Sequence, residues 1–327
     1  MEFASSSEQR RWLCVVSLII LSTQLSITQN LPVPSAWMNN CDFCLASQGI
    51  SPLEAGSSGV RVDLRYLRVG NVYRDGSKVD NAENELETHL TQQYSVYYSL
   101  SSRVTISGVV PVAKRHSEIS SDNGTTITGD QFGLADVSLL LRYKPFVLHG
   151  MESTTIVSAA AGVKLPTGKT GGRDSEGDLL DAHIQLGTGS TDALAGVSGF
   201  YSEGRTAFIG NLLGAITSKG AHGHQFGNSL NYDASMRYNL NPDEYESAQF
   251  FATVSITGEW RGMESQDGVT DENSGGNVTY LAPGVQILFT PEITFEGQFQ
   301  YPIVHGLHGE QLGEDFRLAT GIQFLLK

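Results

Sequence analysis

From residue 59 onward, apolar side chains recur at every second position rather than every third or fourth. Over 59–73, Val60, Val62, Leu64 and Tyr66 alternate with Arg61, Asp63 and Arg65. Over 228–241, Leu230, Tyr232, Ala234, Met236, Tyr238 and Leu240 alternate with Asn231, Asp233, Ser235, Arg237 and Asn239. In 247–262, Ala252, Val254, Ile256 and Trp260 oppose Thr253, Ser255, Thr257 and Glu259, and Phe250 is expected to break the phase. Residues 293–303 and 315–327 repeat the arrangement with Phe295, Phe299 and Tyr301, then Phe316, Ile322 and Phe324. A period of two gives a strand with one apolar and one polar face.

Such segments fall at 59–73, 87–101, 103–116, 133–147, 153–166, 183–202, 205–218, 228–241, 247–262, 276–289, 292–304 and 315–327. Most are ten residues or longer, the length that tilted membrane-spanning strands need (~9–11) rather than that of globular strands (~5–6). Their connections alternate. Short ones lie at 101–102, 149–152, 203–204, 241–246 and 290–291, and long ones at 74–86, 117–132, 167–182, 219–227, 263–275 and 305–314. Outer-membrane barrels pair short periplasmic turns with long external loops and use an even strand number. The expected fold over 59–327 is therefore all-β, a transmembrane antiparallel up-and-down β-barrel of about twelve strands in a bacterial outer membrane. Its expected partners are membrane lipid and the barrel-assembly machinery.

Composition adds one exclusion. The charged fraction is 17%, below the ~25% of soluble domains, and 36 glycines suit strands and turns. A net charge of −14 argues against a nucleic-acid partner, which needs a basic surface. At the N-terminus, Arg10 and Arg11 precede the apolar run 12–21, the form of a signal peptide over 1–30. A retained N-terminal anchor is the competing reading of that run. Residues 31–58 then form a periplasmic segment carrying Cys41 and Cys44 in a Cys-x-x-Cys. A zinc site would need a second pair and a redox role a thioredoxin-like context, so a local disulfide is the plainer expectation.

Other motifs lead nowhere. Pro166-Thr167-Gly168-Lys169-Thr170 ends like a phosphate-binding loop, but position 163 is valine where glycine is required. Gly187-Thr188-Gly189 lacks the third glycine of a dinucleotide fingerprint. His222, His224, His305 and His308 lie on loops without ligand spacing, and neither a metal nor another cofactor is expected. The acidic loops at 171–178 and 272–276 read as solvated caps, or as a vestibule that concentrates cations. A lipid hydrolase would need a paired Ser and His; His89, His183, Ser95 and Ser158 offer the types without an identifiable pair.

If the aromatic faces meet lipid, the lumen receives Arg61, Asp63, Arg65, Asp136, Arg142, Lys144, Lys164, Asp233, Arg237, Glu259, Glu296 and Arg317. Charges of both signs can close a barrel by salt bridges or line a polar pore. Small residues at Ser138, Ser158, Ser198 and Gly321 leave space for a pore.

Ala161-Gly-Val-Lys-Leu-Pro-Thr-Gly-Lys169 and the run Gln185 to Gly196, with its Gly-Thr-Gly-Ser-Thr-Asp, resemble a bacterial outer-membrane family assigned to transport in the MetA pathway of phenol degradation. Gly133-Leu134-Ala135-Asp136 opening a strand adds to the likeness, which extends over about 59–327. Gly168, Gly187, Gly189 and Asp192 carry the family motif. The resemblance implies passive uptake of small organic, often aromatic, solutes and no enzymatic activity. Family barrels commonly end in an aromatic residue, whereas this chain ends Phe324-Leu325-Leu326-Lys327. Within the motif, Gly187 and Gly189 on a strand would permit close approach of an inserted loop, and Asp192 would hold the 167–182 loop to narrow the pore. A structural or adhesive barrel with a closed lumen, and an outer-membrane hydrolase, are the competing roles.

Overall fold

The computed structural model describes residues 55–120, 126–242 and 248–326. The expected signal peptide over 1–30, and Cys41 and Cys44, lie outside the described residues. The first elements are β1 (Ser58–Arg74), β2 (Ser77–Val79), β3 (Leu86–Ser99), β4 (Val104–Ser120), β5 (Thr126–Leu134) and β6 (Val137–His149). They are followed by β7 (Ser153–Leu165), β8 (Asp192–Glu203), β9 (Thr206–Ile216), β10 (His224–Gln225), β11 (Ser229–Asn239) and β12 (Gln249–Arg261). The chain closes with β13 (Glu264–Gln266), β14 (Val269–Asp271), β15 (Gly276–Thr290), β16 (Ile293–Leu307) and β17 (Glu310–Leu326). Among the described residues no helix is long and apolar enough to cross a membrane. Crossing falls to the strands.

Twelve long strands pair antiparallel with their chain neighbours in the order β1-β3-β4-β6-β7-β8-β9-β11-β12-β15-β16-β17, and β17 returns to β1. That last ladder runs from Ser58 opposite Leu326 to Arg74 opposite Glu310 and closes the barrel. Closure removes the edge, so every spanning strand has a partner on both sides, the condition for backbone in hydrocarbon. Both barrel ends of the chain lie at the side of the short turns.

The burial pattern is inside out. In β3, Leu90, Tyr94, Val96 and Tyr98 are exposed while Thr91, Gln93, Ser95 and Ser99 are buried. In β11, Leu230, Met236 and Tyr238 are exposed while Asn231, Asp233, Ser235 and Arg237 are buried. Val96 shows 55% of its surface whereas Arg61, Lys144 and Gln323 show 1% each. A water-soluble protein would bear that apolar exterior at a large cost; in lipid it is the stable side, where a charge near the midplane would cost ~2–4 kcal/mol.

Three expectations need correction. Phe250 is in phase and exposed; the aromatic that breaks the pattern is Phe251, buried on the inner face. Residues 183–191 are not strand, because β8 begins only at Asp192. The connection 305–314 is no long loop: β16 and β17 extend to a turn at His308-Gly309, with Gly309 at φ +57°.

The remaining long connections are partly ordered as hairpins. Asp75-Gly76 (φ +48° and +78°) turns β1 into β2, and Asp267-Gly268 (φ +51° and +84°) turns β13 into β14. Two positive φ values match the twist of a tight hairpin, and Asp-Gly tolerates them best. β5 pairs with the outer part of β4, Ser120 opposite Thr126. Two ladders stop short: β4 pairs with β6 only over Val104–Val109, and β16 pairs with β17 only over Ile293–Gln300. Beyond Gln300, β16 follows β15 and β17 follows β1. The ring of His305 occupies the parting, stacked on Tyr73 at 4.0 Å and donating from Nε2 to the Glu314 carbonyl at 2.9 Å.

Candidate functional site

Alternation turns the polar residues of all twelve strands inward, so the lumen is the place where chemistry gathers. Of the twelve charges expected there, Arg61, Arg142, Lys144, Lys164, Asp233, Arg237, Glu296 and Arg317 are buried. Asp63, Arg65 and Glu259 share their inward phase and are partly covered. Asp136 lies outside the strands, between β5 and β6, with its carboxylate largely shielded.

The wall formed by β1, β16, β15, β12, β11 and β9 is a connected polar network. Arg61 pairs with Asp63 at 2.6 Å and with Glu296 at 3.1 Å. Glu296 also accepts from Gln286 at 2.7 Å and faces Arg237 at 3.5 Å, while Arg237 donates to Gln286 at 3.0 Å. Asp233 accepts from Asn211 at 3.2 Å and Ser235 at 3.0 Å. Ser255 then links Ser235 to Gln298. Arg317 pairs with Glu314 and lies 4.6 Å from the centre of the Tyr280 ring. Charges placed away from water persist when each has such partners.

The rest of the inner face differs. On β6, Arg142 makes no ion pair among the described residues, and its Nε is buried without a hydrogen-bond partner. Toward the short turns the inner face becomes apolar, where Ile156, Phe200, Ala207, Ile209 and Phe251 pack together against Val147 and Leu288. The sequence signal was present in Phe200 and Phe251, which sit in the polar phase of their strands.

At the other end, the loop 166–191 is tied to the rim. Asp136 accepts from the Gly168 and Thr188 amides at 2.9 Å each and from the Thr188 hydroxyl at 2.8 Å. Lys164 reaches Thr188 at 2.8 Å, Asp136 at 3.6 Å, and pairs with Asp192. Asp192 accepts from the Ser218 amide, so the carboxylate expected to hold this loop serves Lys164 and Ser218 instead. Asp136 holds the loop. The motif glycines are on loop, not strand: a Cβ at Gly187 would lie 2.5 Å from the Gly168 carbonyl oxygen, and Gly189 has φ +70° against Ala221. The loop packs against β5, with Leu180 over Gly129 and Gly172 against Gln131.

A second external contact joins this loop to β10 and β13. His183 and His224 approach the Glu264 carboxylate at 3.2 and 3.0 Å, and Phe226 meets both rings edge-on. Burial disfavours the charge on His183, but Glu264 and Asp181 outweigh it and hold its pKa above the usual value. Burial likewise opposes the Glu264 charge, and the hydrogen bond from His183, with Arg261 nearby, overcomes it and holds that pKa down. Among the described residues no group of three such side chains is arranged to hold a metal ion.

The chain is similar to the COG4313 outer membrane channel from Pseudomonas putida F1, with a TM-score of 0.62 and 17% identity over 84% of this chain and 97% of that one. The fold is that of an outer-membrane β-barrel. Looser likenesses include the transport unit of the autotransporter AIDA-I from Escherichia coli, at TM-score 0.42 and 10% identity over 82% of this chain and 90% of that one. The CymD monoaromatic hydrocarbon channel follows at 0.39 and 8%, over 84% and 88%. Neither is close enough to carry an argument. No family model and no curated protein matches the chain, so the likeness to the MetA-pathway family rests on its motif residues alone. In an outer-membrane barrel the short turns face the periplasm, which places the apolar cluster at the periplasmic end and the loop 166–191 outside.

Proposed function

We propose that this protein is a channel of the bacterial outer membrane for passive uptake of small organic solutes, aromatic ones among them. The observation that supports this most is a closed barrel whose inner face is polar and charged while its outer face is apolar. The solute class follows from the wall itself: the Arg142 guanidinium on β6 has no ion pair among the described residues, and an aromatic and aliphatic cluster that includes Phe200 and Phe251 lies toward the short turns. A small organic acid presents both matching surfaces. Arg61, Glu296 and Arg237 tie β1, β16 and β11 together by ion pairs.

The reading makes the protein a conduit rather than an enzyme. Planar-bilayer recording of the refolded protein, with reversal potential under a salt gradient, tests it. Stable steps that aromatic carboxylates block agree with the proposal. Silence from protein shown to be folded by heat-modifiable gel mobility would sink it and favour a structural barrel.

A further inference from the structure

Arginine keeps its proton at any ordinary pH, so a guanidinium on the inner wall needs a carboxylate, a polar ligand or water to hold its charge. Arg61 meets Asp63 and Glu296, Arg237 meets Glu296, and Arg317 meets Glu314. Arg142, in the middle of β6 and 6% exposed, meets no carboxylate among the described residues, and its Nε–H has no acceptor. The described wall leaves that charge to whatever enters the lumen.

The side chains around it are donors too. Arg142 lies opposite Ala160 of β7, and Lys144 follows it on the same inner face, 1% exposed. The β6–β7 register then shifts: Tyr143 faces Ala159 and Phe146 faces Val157, so Lys144 and Pro145 together oppose Ser158. Such a bulge re-aims side chains, and Pro145 suits it because it has no N–H to give the ladder. Ser158 is 2% exposed, and its hydroxyl also lacks a hydrogen-bond partner. Ser198 of β8 stands opposite Ser158, and Asn211 of β9 opposite Ser198. The row ends in a carboxylate only at Asp233 of β11, which already accepts from Asn211 and Ser235. Negative charge in the lumen is therefore drawn to the β6–β7 end of the row.

Apolar residues border these donors on the inner face. Leu140 is two residues from Arg142 and packs with Ala160 and Leu194. Toward the short turns, Ile156 is two residues from Ser158 and packs with Phe200. A bare inorganic anion would use the donors and leave the borders idle. A carboxylate carried on an apolar body uses both.

We propose that Arg142, Lys144 and Ser158 form a binding subsite for the carboxylate of a small organic acid, halfway along the lumen on the β6–β7 wall. The two carboxylate oxygens accept from the Nε–H edge of the Arg142 fork, the Ser158 hydroxyl adds a third hydrogen bond, and Lys144 adds charge. The inference deepens the uptake reading and rests on it only for its consequence. Passage then favours organic acids over neutral solutes of the same size, in a protein whose own net charge is −14.

Titration of benzoate into the full-length protein folded in detergent tests it, with benzyl alcohol as the neutral match and saturation-transfer NMR as the readout. Arg142→Gln is expected to weaken benzoate about tenfold or more, the loss of one or two charge-assisted hydrogen bonds, and Ser158→Ala about threefold, with benzyl alcohol unaffected. Because Arg142 holds no carboxylate, Arg142→Gln strands no counter-charge, and its heat-modifiable mobility shift should come at the parental temperature or above. A variant that does not fold would mean that the protein itself holds Arg142, and overturns the subsite. Equal benzoate affinity in parent and variant, or no saturable binding to the folded parent, also overturns it. Displacement of benzoate by chloride or inorganic phosphate at equal concentration overturns the carboxylate assignment. Bilayer recording separates this inference from the reading beneath it. Steps that benzoate leaves unchanged in parent and Arg142→Gln alike keep the channel and overturn the subsite, whereas silence with benzoate binding intact keeps the subsite and overturns the channel.

Discussion

Asp136→Ala should release the external loop while leaving the barrel intact. The Asp136 carboxylate accepts the Gly168 amide, the Thr188 amide and the Thr188 hydroxyl, all within 2.9 Å, and so joins both ends of 166–191 to one side chain. A hydrogen bond to a charged group contributes ~1.5–3 kcal/mol, and part of that is recovered when the freed amides turn to water. Losing the two backbone bonds should therefore cost about 3 kcal/mol of loop anchorage, equivalent to a ~100-fold rise in the open fraction. Lys164 keeps its partner Asp192, so no orphaned cation complicates the variant. Lys169 and Arg173 are exposed within the loop and report its opening to trypsin. Cleavage after these residues should accelerate by about two orders of magnitude, and the Gly168 and Thr188 amides should lose hydrogen-exchange protection to match. Asp192→Ala is the control, since its carboxylate touches neither amide. A rate within threefold of wild type for Asp136→Ala, or equal effects of both variants, would refute the assignment.

Glu296→Ala removes the carboxylate shared by Arg61, Gln286 and Arg237; leaving such buried partners short of a counter-charge should lower stability by ~3–5 kcal/mol, read by urea titration of the heat-modifiable form. Gly187→Val forces a side chain against the Gly168 backbone and should cost ~1–3 kcal/mol, seen as a lower temperature for the mobility shift. The His183–Glu264 contact carries a pH dependence. His183 is held up, so its contribution is complete below about pH 6.5 and fades as pH rises through its folded pKa. Glu264 is held down, so its contribution is complete above about pH 4.3 and fades as pH falls through its folded pKa. Hydrogen exchange around β13, corrected for intrinsic rates, should accordingly be slower at pH 5.5 than at pH 8.5, and His183→Ala should abolish the difference.

The barrel was legible because lipid and lumen impose opposite demands on successive residues, and that alternation is written into β1, β11, β12, β16 and β17 with few interruptions. The same rule hid what departs from it. Phe200 and Phe251 are apolar residues in polar phase, and a period-two reading passes over the first and assigns the second break to Phe250. The 183–191 stretch looked like strand because Ile184 and Leu186 continue the alternation, yet they are buried in the loop that Asp136 holds. The hairpins at Asp75-Gly76 and Asp267-Gly268 carried a readable turn signal, which was submerged in loops judged by their acidity alone. The grip of Asp136 on a loop some thirty to fifty residues away had no local signature, since it depends on how β6 and β7 bring their outer ends together.

The parting between β16 and β17 gives the wall an uneven stiffness. Hydrogen-bonded ladders resist stretching around the circumference, and the one other junction with a short ladder, β4–β6, has β5 paired to the outer part of β4. Over Tyr301–Leu307 the hoop is completed by ring stacking and a single imidazole bond, with Pro302 placed where no donor is needed. A cylinder with one soft stave deforms there first, so changes in bore under load are concentrated at the outer end of that stave rather than shared around the circle.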